Sequence, residues 1–245
     1  LVIANPNFKE IKDRKKIAYY IKNISKSIFR GIRFKKRIWD DLPFSHEEGF
    51  NIAKILNADL LIGEAATKTN LKKFISPKIL HIASHSFYED EVNEKDILLK
   101  SGIVLANSND EKKPKENNNI LTALEITKMD LRFTEMVVVS SCKSGIGKDV
   151  FGENILGIKS AITVSGAKSN ILTLWEIDDA ATSVFMKCFY ERLKLGDSRA
   201  EALFKTQKDF KTKKVQSKNG RDWSDIFYWG AFQLSGDWRS IKFDY

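Results

Sequence analysis

The sequence predicts an α/β fold built on a mostly parallel β-sheet. Short apolar runs typical of buried strands alternate with longer stretches in which apolar residues recur at helical spacing. Apolar residues make up 42% of the 245 residues, enough for one large hydrophobic core. Because strands that alternate with helices usually pair in parallel beneath helices on both faces, we expect a single domain over residues 1–245.

The first half of the chain shows this alternation. The predicted elements are, in order, a strand over 1–5, a helix over 46–57, a strand over 60–65, a helix over 67–74 and a strand over 78–84. Ser45 is expected to cap the helix 46–57. Residues 97–107 predict a hairpin that turns at Ser101 and Gly102, and the polar stretch 107–119 predicts an exposed loop.

The second half continues the pattern. The predicted elements are a helix over 121–131, a strand over 135–141, a helix over 152–164, a strand over 170–175, a helix over 178–196, a helix starting near Asp197 and a strand within 228–236 that closes the sheet. Cys188 falls within the apolar stripe of the helix 178–196, so we expect it in the core.

The composition bears on where the chain works. No run approaches the roughly 18 apolar residues that cross a bilayer, so we expect no membrane partner. Two cysteines cannot make a disulfide framework, which favours a reducing, cytoplasmic setting. The chain begins at Leu1, inside an apolar run and without an initiator methionine. We therefore expect it to be the C-terminal part of a longer polypeptide.

The positive charge is concentrated near the start of the chain. Residues 8–40 hold twelve of the 41 basic and three of the 32 acidic residues, which leaves 29 of each sign elsewhere. One interpretation is a solvated pair of helices. The other is a basic surface that docks an acidic partner or nucleic acid.

Two reactive side chains follow two of the predicted strands. His85 comes directly after the strand 78–84, and Cys142 directly after the strand 135–141. The carboxyl ends of parallel strands are where functional groups gather in α/β sheets. An imidazole and a thiol are the pair that nucleophilic catalysis needs, and Gly145 and Gly147 allow a tight turn that presents backbone N–H groups to an oxyanion.

The spacing of His81 and His85 also raises the possibility of a metal site. Four residues along a strand span about 13 Å, too far for one ion, so we expect no metal here. His81 is instead predicted to be a packed or hydrogen-bonded histidine that supports the site. His46, near a helix start, is predicted to be an ordinary surface residue.

These motifs together resemble a known family. "LHIASHS" (80–86) and "VVVSSCKSGIG" (137–147) are similar to the histidine and cysteine blocks of CHAT-domain proteins, which are caspase- and separase-like cysteine peptidases. Further similar stretches are "LPFSHEEGFNIAKIL" (42–56), "LIGEAATKTNL" (61–71), "SGAKSNILTLWEIDDAAT" (165–182) and "YWGAFQLSGDW" (228–238). The resemblance implies a caspase-like three-layer α/β/α sandwich with about six strands.

The resemblance also implies a function. His85 becomes the dyad histidine and Cys142 the nucleophile of a peptidase that needs no metal or organic cofactor. Its partners are a protein substrate and an upstream repeat or sensor domain. The family usually has glycine after the histidine, whereas this chain has Ser86, whose N–H shares the oxyanion hole with that of Cys142. A serine preserves the hole if its φ is negative.

The resemblance also implies that the strand 170–175 lies beside the Cys142 strand, so that its carboxyl end borders the substrate cleft. Trp175, Glu176, Asp178 and Asp179 are therefore candidate substrate-binding residues, and the acids predict a preference for Lys or Arg before the scissile bond. Alternatively, the two aspartates cap the following helix, and Trp175 belongs to the core. For the whole chain the alternatives to a peptidase are a catalytically silent docking module and a nucleic-acid-binding domain that uses residues 8–40.

Overall fold

The computed structural model describes residues 1–8, 39, 41–88, 97–108, 120–140, 153–175, 177–215 and 220–243. These ranges contain nine strands and eight helices. In chain order they are β1 Val2–Pro6, α1 Pro43–Leu56, β2 Leu60–Gly63, α2 Lys68–Leu71, β3 Ile79–Ala83, β4 Ser86–Tyr88, α3 Ile97–Lys100, β5 Ser101–Val104, β6 Ile120–Thr122, α4 Ala123–Ile126, β7 Met136–Ser140, α5 Glu153–Val164, β8 Ser169–Thr173, α6 Asp179–Lys194, α7 Arg199–Lys211, α8 Ile226–Trp229 and β9 Phe232–Gly236.

Six of the strands form one sheet in the order β2-β1-β3-β7-β8-β9. Its pairs are parallel except the last, in which β9 runs antiparallel to β8. Every residue of β3 and β7 is buried. The mostly parallel α/β fold predicted from the sequence is thus confirmed, and the two strands expected to carry the site lie at its centre.

Helices cover both faces of this sheet. Successive strand residues point to opposite faces, and in β7 Val137 and Val139 join one core while Val138 joins the other. The first core includes residues of α4 and α5, and the second includes residues of α1, α6 and α7. The arrangement is a three-layer α/β/α sandwich.

A smaller antiparallel sheet, in the order β4-β5-β6, begins directly after β3. The hairpin predicted at Ser101 and Gly102 is wrong, because both residues lie inside β5, which pairs with β4 and β6. Gly102 serves close packing instead of a turn. A Cβ there would lie 3.0 Å from the Leu121 carbonyl oxygen and 3.3 Å from the Phe87 ring.

Two helix boundaries also differ from the predictions. Ser45 does not cap α1, which begins at Pro43. Its hydroxyl donates to the Leu42 carbonyl and accepts from the Asn5 N–H, so it ties the helix to the end of β1. The helix predicted over 121–131 is a single turn, because Thr122 ends β6 and forms a capping box that starts α4.

A buried arginine joins the start of β7 to α7. Arg199 has no exposed surface, and its guanidinium donates to Glu135 Oε2 at 2.6 Å and to the Arg239 carbonyl at 2.7 Å. Partial burial of Glu135 acts to raise its pKa, but the hydrogen bonds from Lys168 and Arg199 outweigh this and lower the pKa below its usual value.

Within the described ranges, no helix combines the length and apolar character needed to cross a bilayer.

Candidate active site

His85 lies at the carboxyl edge of the large sheet. It is two residues beyond Ala83, the last residue of β3, and it precedes β4. Its carbonyl accepts a hydrogen bond of 2.9 Å from the Val104 N–H, and the neighbouring Ser84 hydroxyl donates to the Val104 carbonyl. The histidine is therefore held at the junction of the two sheets.

Two aromatic rings pack against the His85 imidazole. The Phe8 ring centroid is 5.2 Å away and the Trp39 centroid 5.4 Å away, both at tilted interplanar angles. Phe8 follows β1, and Trp39 precedes α1. His85 has 0% exposed surface in this arrangement, so access of a substrate to its imidazole requires movement of a neighbouring group.

Ser86 is the first residue of β4 and is paired with Ile103 of β5. The hydrogen bond from Val104 N–H to the His85 carbonyl marks this as a pair that does not exchange backbone bonds, so the Ser86 N–H points away from β5. Ser86 has extended backbone and is not among the residues with positive φ. A serine at this position is thus accommodated without backbone strain.

The end of β7 lies beside the end of β3. The two strands are in parallel register, and their last pair is Ala83 with Ser140. Cys142 belongs to the stretch 141–152, which lies outside the described residues. Along the sequence, His85 and Cys142 each stand two positions beyond a member of this last pair.

A buried hydrogen-bond network lies behind these strand ends. Glu48 of α1 accepts from the Ser140 hydroxyl at 2.6 Å and bonds His81 Nε2 at 2.9 Å, both through Oε1. His81 Nδ1 is 3.2 Å from the Tyr190 hydroxyl of α6. All four residues have 0% exposed surface. The prediction that His81 is a packed or hydrogen-bonded histidine is confirmed.

The donors in this network can be assigned from chemistry. A hydroxyl of Ser140 must donate to the Glu48 carboxylate, and His81 Nε2 must also carry a proton to bond the same oxygen. Burial, with a smaller contribution from Glu48, raises the pKa of Tyr190 well above its usual value. Tyr190 therefore keeps its proton, which it can donate to His81 Nδ1 when that nitrogen carries none.

Sequence reasoning missed Glu48. A detectable signal was present, since Glu48 precedes the buried Ile52 by four residues and shares its helix face. An acid on the apolar stripe of a helix is rarely buried without a partner, so its position indicated a buried polar contact.

Both aspartates among the candidate substrate-binding residues accept hydrogen bonds from backbone N–H groups. Asp178 caps α6, because its Oδ1 accepts from the Ala181 N–H, and its Oδ2 lies 3.4 Å from Arg221. Asp179 Oδ2 accepts from the Phe44 N–H at 2.7 Å. The capping alternative is thus confirmed for Asp178.

Trp175 and Glu176 are the other two candidate substrate-binding residues. Trp175 is half-buried, and its indole N–H donates to the Phe227 carbonyl at 3.0 Å, which ties β8 to α8. Glu176 lies outside the described residues. Of the basic segment 8–40, only Phe8 and Trp39 are described.

His46 and Cys188 were predicted to lie on the surface and in the core, respectively. His46 is exposed on α1, as predicted. Cys188 is half-buried, a partial departure from the core position expected for it, and burial raises the pKa of its thiol. Among the described residues, no group of three or more His, Cys, Asp or Glu side chains is arranged to hold a metal ion.

Comparison with known proteins assigns the family. The profile of the CHAT domain matches residues 1–237, nearly the whole chain. The chain belongs to the CHAT domain family. Its mostly parallel six-stranded sheet is consistent with the caspase-like fold of that family.

Curated relatives of this CHAT domain are repeat proteins by name. Tetratricopeptide repeat protein 28 of Mus musculus is 22% identical over 223 residues, and the Homo sapiens protein of the same name is 21% identical over 222 residues. Each match covers 81% of this chain. The chain spans only 9% of the length of either relative.

Proposed function

We propose that this CHAT domain is a cysteine endopeptidase whose catalytic dyad is His85 and Cys142. The observation that carries the proposal is the β3–β7 register, in which Ala83 pairs with Ser140. Each proposed dyad residue follows this pair by two positions in the sequence, and the pair itself lies at the carboxyl ends of parallel strands, where α/β proteins place reactive groups. Membership of a peptidase-related family supports the same assignment.

The reaction proceeds in two steps. The Cys142 thiolate attacks the scissile carbonyl carbon, and the carbonyl electron pair moves onto oxygen. As this oxyanion collapses, the C–N bond breaks and the His85 imidazolium gives its proton to the departing amine. Water then attacks the thioester while His85 takes a proton from it, which releases the acid and restores the thiol.

The oxyanion is held by backbone N–H groups of Ser86 and Cys142. The direction of the Ser86 N–H, away from β5, supports this role, because it leaves the group on the outer edge of β4. Preorganised donors of this kind commonly contribute 10²- to 10³-fold to the rate.

Regulation by another region is part of the proposal. The imidazole of His85 is wholly covered in this conformation, so the dyad needs a rearrangement before a substrate can reach it. Relatives named for tetratricopeptide repeats, of which this chain matches only 9%, support an upstream repeat domain as the source of that signal. The domain then works as one folded unit within a longer polypeptide.

The burial of His85 also favours a second candidate, a CHAT module that docks other proteins without hydrolysing them. In that case the covered imidazole is the permanent state, and the Cys142 thiol behaves as an ordinary cysteine. Thiol reactivity separates the two candidates.

The test uses the chain's two cysteines. Cys142→Ala and His85→Gln are each expected to abolish cleavage of a peptide library, measured by mass spectrometry, with and without the upstream region of the longer protein. Cys188→Ala is the matched control and should retain the rate, because a half-buried thiol with a raised pKa is a poor nucleophile. Cleavage that survives Cys142→Ala and disappears in Cys188→Ala would refute the dyad.

A further inference from the structure

The network of Glu48, His81, Ser140 and Tyr190 is not used by the proposed reaction, yet it lies directly behind the two strands that lead to the dyad. Ser140 is in the last pair of the β3–β7 ladder, and His81 pairs with Val138 two pairs earlier, on the same face. Side chains two residues apart on a strand point to the same face. Glu48 therefore reaches across two strands at the point where their backbone pairing ends.

Stability alone does not account for this arrangement. Glu48 has no exposed surface, and its Oε2 has no hydrogen-bond partner among the described residues. A buried carboxylate with one unsatisfied oxygen costs free energy, and apolar replacements of buried polar clusters are often as stable as the originals. The carboxylate links the two strands, because its Oε1 bonds His81 of β3 and Ser140 of β7 at the same time.

We propose that Glu48, through its bonds to His81 and Ser140, is a positioning residue that holds the ends of β3 and β7 in the relative placement that the dyad requires. The inference rests on the proposed function, because the placement matters only if His85 and Cys142 act together. Tyr190 supports the same arrangement, because its hydroxyl lies 3.2 Å from Nδ1 and holds the His81 ring with Nε2 beside Glu48. A displacement of about 1 Å at a catalytic pair can reduce a rate by about 10²-fold.

The helix that carries Glu48 is itself placed for this task. Ser45, three residues earlier in α1, accepts the Asn5 N–H at 3.1 Å, which ties the helix to the end of β1. Gly49, the next residue, lies so close to β1 that an added Cβ would be 2.3 Å from Ala4 Cβ. These contacts fix the distance between α1 and the sheet, and with it the position of the Glu48 carboxylate.

The test measures the reactivity of a single thiol. In a Cys188→Ala background Cys142 is the chain's one remaining cysteine, and its alkylation by iodoacetamide is followed from pH 5 to 9 without any substrate. Ser140→Ala removes the hydrogen bond that joins β7 to Glu48. We expect it to slow alkylation of Cys142 about 10- to 100-fold near neutral pH and to shift the profile toward that of an ordinary cysteine. In the peptidase assay, kcat should fall by a similar factor with little change in KM.

The matched control is Ser165→Ala, the same change at a buried serine that follows α5 and whose hydroxyl donates to the Ile162 carbonyl. Its alkylation rate should stay within about twofold of the parent at neutral pH. Glu48→Gln keeps an acceptor for both bonds while it removes the charge, so it should retain most of the rate. Circular dichroism and urea midpoints establish that each variant is folded. If Ser140→Ala does not fold, Glu48→Gln compared with Glu48→Met decides the question.

The outcomes distinguish the two proposals. A parent thiol that reacts like free cysteine, and is unaffected by His85→Gln, overturns the dyad and with it the role of Glu48. A fast, His85-dependent thiol that Ser140→Ala leaves unchanged overturns the positioning role alone. A Glu48→Gln variant as slow as Ser140→Ala would show that the charge acts and not the placement, and would also overturn it.

Discussion

Replacing Gly49 by alanine probes how closely α1 must approach the sheet. The added Cβ would lie 2.3 Å from Ala4 Cβ, 3.4 Å from Leu60 Cδ1 and 3.6 Å from Val2 Cγ1. Carbon atoms in contact normally stand about 3.5–4.0 Å apart, so helix and strand must separate by roughly 1.5 Å. Overpacking of this kind costs about 1–3 kcal/mol, against a gain of about 1 kcal/mol in helix propensity. Because Ala4 Cβ is fixed to the backbone of a buried strand, we expect a net loss of about 2 kcal/mol.

The assay is a double-mutant cycle in urea, followed by circular dichroism. Ala4→Gly alone should cost about 1 kcal/mol, since glycine weakens a strand. Combined with Gly49→Ala it moves one methyl group from the strand to the helix, so the double variant should recover most of the loss, with a favourable coupling of about 2 kcal/mol. Strict additivity, or a Gly49→Ala variant more stable than the parent, would refute the close-approach argument.

Three further outcomes are expected. Glu135→Gln should lower the free energy of unfolding at neutral pH. The difference in free energy between the parent and the variant should shrink between about pH 5 and pH 3, because a carboxyl whose pKa is lowered in the folded chain contributes its full stability above its unfolded pKa of about 4.3 and loses it as the pH falls through the folded pKa. Urea midpoints across this pH range test the prediction, and a difference that grows in acid would contradict it. Asp178→Ala should cost about 1 kcal/mol by removing the cap of α6, and an unchanged melting temperature would exclude that role. If Glu176 borders the substrate cleft, a peptide library should show cleavage after Lys or Arg, and a preference for Asp or apolar residues would count against it.

The sequence was informative where periodicity and burial agree. The strands that became β3 and β7 were predicted to within a residue or two, because short stretches rich in apolar and β-branched residues favour a strand buried on both faces. The helices α6 and α7 were found for a similar reason, since each has an apolar stripe and a polar cap at its start.

The wrong predictions concern residues whose type suits a local turn or helix cap but whose contacts are with residues distant in the sequence. Ser101 and Gly102 have the composition of a turn, but the glycine is needed for contact with the Leu121 carbonyl and the Phe87 ring inside a sheet. Ser45 has the composition of a helix cap, but its hydroxyl binds an N–H of β1. Glu48 was missed because its partners lie 33 and 92 positions away along the chain.

The two rings that pack against His85 come from positions far apart in the sequence. Phe8 and Trp39 flank thirty residues of sequence, yet their rings lie within about 11 Å of each other because both touch the same imidazole. A smaller side chain at either position would uncover part of the imidazole. The exposure of His85 thus depends on residues that belong to neither β3 nor β4.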